Sequence, residues 1–280
     1  VLFLEFSTML EFVLVPLLLA FVAAVICGVV GTLTVVRSNT YVAGAVSHTI
    51  LAGLGFSQYS NAIGLLPFYI DPTIAALITA IIVAVIISTM QFRGKVKQDT
   101  TLSAVWAVGM AIGLFFLSVT PGYQTDLLRY MFGSIAVATE ADVVFGLVLA
   151  LIIVGCVICF WRGIVALCFN SDLLRLNGGK AFFFELVVSI LSAVATVVLV
   201  KTVGIVLVIA LITLPSLVAL NMRLSIRMAM LVATILSFLA LASGVMISAY
   251  YDIEAAAPTV ILLALMAVLC YLVRVLKKQV

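Results

Sequence analysis

Long apolar runs separated by short polar punctuation follow one another along the chain, and no hydrophilic domain interrupts them. The runs lie near 12–36, 40–57, 73–91, 101–120, 141–161, 182–200, 203–221, 228–250 and 257–273. Most approach or exceed the roughly 20 apolar residues that an α-helix needs to cross a hydrocarbon core. A further stretch, 127–140 (LLRYMFGSIAVATE), is short and interrupted. It reads as a re-entrant or interfacial segment, because non-helical backbone survives at membrane depth only where protein buries it. The pattern therefore predicts an all-α polytopic membrane protein, a bundle of about eight to nine transmembrane helices. Residues 1–280 are read as a single transmembrane domain.

Composition agrees with the pattern. Of 280 residues, 66% are hydrophobic and 9% charged, against about 25% charged in a soluble domain. Soluble, disordered and disulfide-framework classes are excluded. The opening residues, VLFLEFSTMLEF, lack the basic stretch of a signal peptide, and Met9 is read as the natural start.

The net charge of +3 matters less than where the charges fall. Arg37, then Arg93, Lys95 and Lys97, then Arg162, Arg175 and Lys180 lie at alternate span ends, and Arg223, Arg227, Arg274, Lys277 and Lys278 continue the series. Glu5, Glu11, Asp71, Asp126, Glu140, Asp142, Asp252 and Glu254 gather at the opposite ends. The positive-inside rule then puts the C-terminus in the cytoplasm and, for an odd number of spans, the N-terminus outside. Arg129 and Lys201 are the basic residues on the acidic side. Glu185 and Lys201 sit near helix ends, from which a side chain reaches water by snorkelling.

The longest polar interruption, RGIVALCFNSDLLRLNGGK over 162–180, falls on the basic side. Ser171 and Asp172 are placed to cap a short helix ending at Gly178–Gly179. A capped helix held between two spans is a handle for another protein; the plainer reading is a connecting loop.

Ionisable groups inside spans are the first candidates for function, because each is costly there unless paired or hydrated. His48, the one histidine of the chain, lies mid-span in AGAVSHTILAGLGF. Gly44, Ser47, Ala52, Gly55 and Tyr59 recur near its helical face at spacings of three and four. A small, polar stripe of this kind faces other protein or a wet cavity. His48 is either a ligand for a passing ion or a hydrogen-bonded histidine between packed helices. Ser47 is not its catalytic partner, since adjacent helical residues point roughly 100° apart. Gly109 and Gly113 form a G-x-x-x-G that favours close helix packing, and Pro215 frees a carbonyl mid-helix. Cys156 and Cys159 make a C-x-x-C without a second ligand pair of zinc-site spacing, so the five cysteines read as small core residues. No phosphate-binding loop, H-E-x-x-H or G-x-S-x-G occurs, which points away from catalysis and from nucleotide binding by this chain.

Several segments together resemble the permease subunits of zinc/manganese/iron-type metal ABC transporters. Gly44-Ala45-Val46-Ser47-His48-Thr49-Ile50-Leu51-Ala52-Gly53 is similar to that family's G-D-x-x-x-H-x-x-x-x-G motif. Asp126-Leu127-Leu128-Arg129-Tyr130-Met131-Phe132-Gly133-Ser134 resembles D-L-x-x-Y-L-F-G-S/D. Asn170-Ser171-Asp172-Leu173 through Gly178 is similar to the segment that meets the ATPase. Val203-Gly204-Ile205-Val206-Leu207-Val208 through Pro215 and Ala219 resembles V-G-x-L-L-V-x-A-L-L-x-x-P-A-x-x-A. Ser248-Ala249-Tyr250-Tyr251-Asp252 followed by Pro258-Thr259-Val260 fits the last external loop. One departure stands out: Gly44 occupies the place of the family's aspartate, four residues before the histidine.

The resemblance implies a permease in a bacterial cytoplasmic membrane, importing a zinc, manganese or iron ion by alternating access. It implies a metal ligand at His48, with Ser47 as a weak neighbour. It also implies ATPase coupling at about 163–179 through Ser171, Asp172, Leu173, Arg175 and Gly178. The expected partners are a cytoplasmic ATP-binding subunit, an extracytoplasmic metal-binding protein, a second or sister permease and membrane lipid, with no nucleic acid and no cofactor bound by this chain. A siderophore or cobalamin permease, a secondary transporter and an assembly protein are the alternatives. The absence of clear inverted repeats and of mid-span carboxylates weighs against the second.

Overall fold

The structure, a computed structural model, describes residues 2–93, 98–121, 133, 135, 138–169 and 180–279. Helix α1 begins at Leu2–Ile26, widens into a π-helical turn over Cys27–Gly31 and resumes at Thr32–Val36. There follow α2 (Tyr41–Ile63), α3 (Pro72–Arg93), α4 (Gln98–Val119), α5 (Glu140–Cys159), the short α6 (Trp161–Phe169), α7 (Ala181–Val203), α8 (Ile205–Asn221), α9 (Ile226–Tyr251) and α10 (Ala256–Gln279). Among the described residues, seven helices are long and apolar enough to cross a membrane, and Ile205–Asn221 is a shorter apolar helix. The α2 helix is less apolar because it carries the glycine, serine and histidine stripe. The all-α polytopic architecture of the sequence reading is therefore the observed one. Most of 127–140 lies outside the described residues, as do Ser171, Asp172, Leu173, Arg175 and Gly178.

Local chemistry places the helix ends. Thr139 caps α5 reciprocally: the Asp142 amide donates to its hydroxyl at 3.4 Å, and the Asp142 carboxylate accepts the Thr139 amide at 3.0 Å. Such a capping box satisfies two backbone donors that would otherwise stay unpaired. Ser225 caps α9 by accepting the Met228 amide. The two apolar runs 182–200 and 203–221 part at Gly204, whose φ of +81° a β-carbon would resist.

Contacts at the two ends show how the helices alternate. At the basic end Arg37 meets Glu185, Arg227 lies over Trp161, and Arg274 donates to Asn221. At the other end Lys201 meets Asp142, and Asn61 clamps the backbone of Ile70 through both its amide N–H and its carbonyl. Of the seven long apolar spans, α1 and α7 are the most enclosed, whereas α4, α5 and α10 keep most of their surface outward.

The π-helical turn lies where α1 meets α8 and α9. A β-carbon on Gly28 would stand 2.8 Å from the Met230 carbonyl. One on Gly31 would stand 2.6 Å from the Ser216 hydroxyl, beside the Ile212 carbonyl. The extra residue of a π-turn leaves the local hydrogen-bond ladder loose, and Thr32 fills part of it by donating to the Gly28 carbonyl at 2.7 Å.

Candidate functional site

The site is built by the packing of α2 on α4. Gly109 faces the backbone and side chain of Thr49, and a β-carbon on Gly113 would lie 2.6 Å from the Leu51 carbonyl carbon. Small residues let two membrane helices approach this closely. Thr49 donates its hydroxyl to the Ala45 carbonyl at 2.6 Å and lies 3.3 Å from the Val105 carbonyl across the interface. That approach carries Trp106, the residue after Val105, onto His48. The two rings stack with centroids 4.5 Å apart and planes 18° from parallel.

His48 is half-buried, and among the described residues its Nδ1 is enclosed without a hydrogen-bond partner. Among the described residues the contact that holds the ring is its stacking on Trp106. Ser47 is fully buried and donates to the Gly44 carbonyl at 2.8 Å, within its own helix turn. Gly44 lies on the same face, one turn before His48. A β-carbon there would meet Ile209 of α8 at 3.3 Å and the Trp106 ring at 3.6 Å, so a side chain fits if Ile209 gives by a few tenths of an ångström. Among the described residues no three His, Cys, Asp or Glu side chains come together as a metal-binding group. The cysteines are free thiols, and burial pushes the Cys168 thiol on α6 up to about 11.

One charged residue behaves differently from the sequence reading. Glu185 does not snorkel. It is buried, and both its oxygens accept from one Arg37 nitrogen, at 2.7 and 2.6 Å. A carboxylate just over one turn inside α7 meets a guanidinium at the end of α1. Lys201, on the acidic side against the charge rule, is accounted for by Asp142 at 3.0 Å and by the Phe145 ring at 5.0 Å. Sequence reasoning missed Trp106. The available signal was an aromatic residue three before the first glycine of G-x-x-x-G, hence beside the closest helix approach.

Residues 9–275 match the ABC 3 transport family. This chain belongs to that family. A probable metal transport system membrane protein of Chlamydia muridarum is 36% identical over 186 residues, 65% of this chain and 62% of that one. The match thus spans less than two thirds of that relative's length. The high-affinity zinc uptake system membrane protein ZnuB of Haemophilus influenzae is 23% identical over 254 residues, 91% of this chain and 94% of that one. The solved structure of PsaBC from Streptococcus pneumoniae in complex with Fab superposes with a TM-score of 0.81 at 22% identity, covering 96% of this chain and 95% of that one. That likeness places the ABC 3 chain in the same helical fold. Two of its family-like stretches also meet in space: a β-carbon on Gly133 would strike Val203 and Gly204, at the break between α7 and α8.

Proposed function

We propose that this ABC 3 family chain is the membrane-spanning permease subunit of an importer for a divalent transition-metal ion, zinc, manganese or ferrous iron. The observation that carries the reading is His48: a lone imidazole inside the membrane bundle, stacked on Trp106 and with a ring nitrogen unpartnered among the described residues. An ionisable group at that depth is costly without a role, and a neutral imidazole nitrogen suits zinc and iron, whereas manganese would lean on oxygen ligands from elsewhere. The metal names carried by the relatives support the same reading.

In the mechanism proposed, the ion is substrate rather than resident cofactor. A second permease copy or a sister permease faces this one and supplies further ligands, because one imidazole leaves most of the coordination shell to water or to the partner. An extracytoplasmic metal-binding protein delivers the ion to the acidic end. ATP-binding subunits at the basic, cytoplasmic end act on the segment 163–179, with Ser171, Asp172, Leu173, Arg175 and Gly178 as its contact residues. Their closure switches the bundle from outward to inward opening. The chain forms one domain of a bacterial cytoplasmic membrane, with its C-terminus inside.

Reconstitution with the ATPase and the binding protein in liposomes tests this reading. His48→Ala is expected to abolish ion uptake while assembly and ATP hydrolysis persist. Unchanged uptake would return His48 to a packing role, and accumulation only in the reverse direction would overturn import. Gly44→Asp is expected to fold once the Ile209 side chain gives by a few tenths of an ångström, and to raise zinc or manganese retained by the purified complex, read by elemental analysis. Unaltered retention would mean that the stripe beside His48 is not on the ion path.

A further inference from the structure

A groove of about 840 Å³ opens at the basic end, between the α5–α6 corner and α9. Its walls are apolar: Val154 and Ile158 from α5, Phe184 from α7, and Leu231 from α9. Two arginines, Arg162 and Arg227, complete the lining. Ile158 and Leu231 are largely exposed, so the groove is open to the bundle's surroundings. The Arg227 guanidinium lies 5.1 Å over the Trp161 ring. Stacking of that kind fixes the plane of a guanidinium and leaves its in-plane N–H donors free. Among the described residues, neither arginine has a carboxylate within ion-pair distance, whereas Arg37 and Lys201 each have one.

We propose that this groove binds one anionic phospholipid, with an acyl chain between α5 and α9 and its phosphate on Arg162 and Arg227. The physical case has two independent parts. An apolar furrow on the flank of a membrane bundle loses dispersion contacts unless hydrocarbon fills it, and acyl chains are the hydrocarbon that surrounds it. Two uncompensated guanidiniums at the mouth of that furrow select a negative headgroup, since basic pockets between membrane helices are headgroup sites. Guanidinium and phosphate also match in geometry through paired N–H···O bonds. Bound there, the lipid bridges α9 to the α5–α6 corner. The inference depends on the bundle lying in a membrane and not on which ion passes through it.

Native mass spectrometry of the full-length chain tests the proposal, with phosphatidylglycerol and phosphatidylcholine of identical acyl chains added in competition. The wild type is expected to retain a single phosphatidylglycerol with roughly tenfold preference, because the choline cation of phosphatidylcholine offsets its phosphate at the two guanidiniums and the glycerol headgroup does not. Arg162→Gln with Arg227→Gln is expected to erase the preference, and Lys180→Gln, at the same end but outside the groove, to leave it intact. Ile158→Trp keeps both charges, fills the furrow and is expected to lower retention of both lipids. A second apolar groove lies nearby, lined by Arg223 and Arg274. Loss of preference on replacing those two arginines instead would overturn the assignment. Equal retention of the two lipids by the wild type would overturn it as well.

Discussion

Glu185→Ala is expected to destabilise the folded bundle by about 3–5 kcal/mol, the usual cost of leaving a buried charge without its partner. The carboxylate takes two short contacts from Arg37, and both side chains are nearly out of reach of solvent, at 11% and 7% exposure. Removing the carboxylate strands a guanidinium that has already given up its water. The pair joins the end of α1 to the start of α7, the two most enclosed of the seven long spans, so the loss falls on the centre of the fold. Arg37→Met combined with Glu185→Leu is expected to recover most of that stability, because a buried ion pair exchanged whole for apolar side chains is often close to neutral. Unfolding of the purified protein in mixed micelles, followed by titration with a denaturing detergent, measures the three variants side by side. If the double variant is no more stable than Glu185→Ala alone, the charge imbalance is not the cause and the side chains matter through packing.

Gly113→Val is expected to be of similar size, about 3 kcal/mol or more, at the upper end for an overpacked interior. The added carbon would stand 2.6 to 2.7 Å from three atoms of Leu51, two of them backbone, and backbone cannot move aside as a flexible side chain can. On the other side of the contact, a β-carbon on Gly55 would stand 2.7 Å from the Gly113 carbonyl. Forcing α4 away from α2 also lifts Trp106 off His48, so tryptophan fluorescence should shift as stability falls. Gly155→Val provides the comparison, because open space surrounds that position on α5. Equal stability of the two valine variants would mean that α2 and α4 do not need their close approach.

Both variants bear on how far this fold can be read from its sequence. Gly109 and Gly113 were legible as a close-packing motif, since the spacing alone puts two small residues on one helix face. The helix they pack against was not, because every span offers an apolar face. Arg37 and Glu185 were each visible as charges near a membrane boundary. Their pairing joins residues 148 apart in the chain, and no local pattern encodes that distance. His48 stood out because a lone imidazole in an apolar run is conspicuous; its stacking on Trp106 depends on the register of α2 against α4. Gly204 shows a partial reading: the spans on either side were separated correctly, while the positive φ that makes the break required the backbone itself.

What the sequence determined by itself was the solvent. Runs long enough to cross a bilayer, with basic and acidic residues at alternating ends, fix a polytopic helical protein because lipid leaves unpaired backbone no other partner. The tertiary structure alone decided which helices lie at the centre. The most apolar window of α7 is 67% buried and that of α5 only 22%, although both are strongly apolar. In water the hydrophobic effect sorts apolar faces inward and leaves that record in the sequence. In a bilayer, lipid and protein interior are alike to an apolar side chain, so position in the bundle is set by close approach of small residues and by a few buried polar pairs.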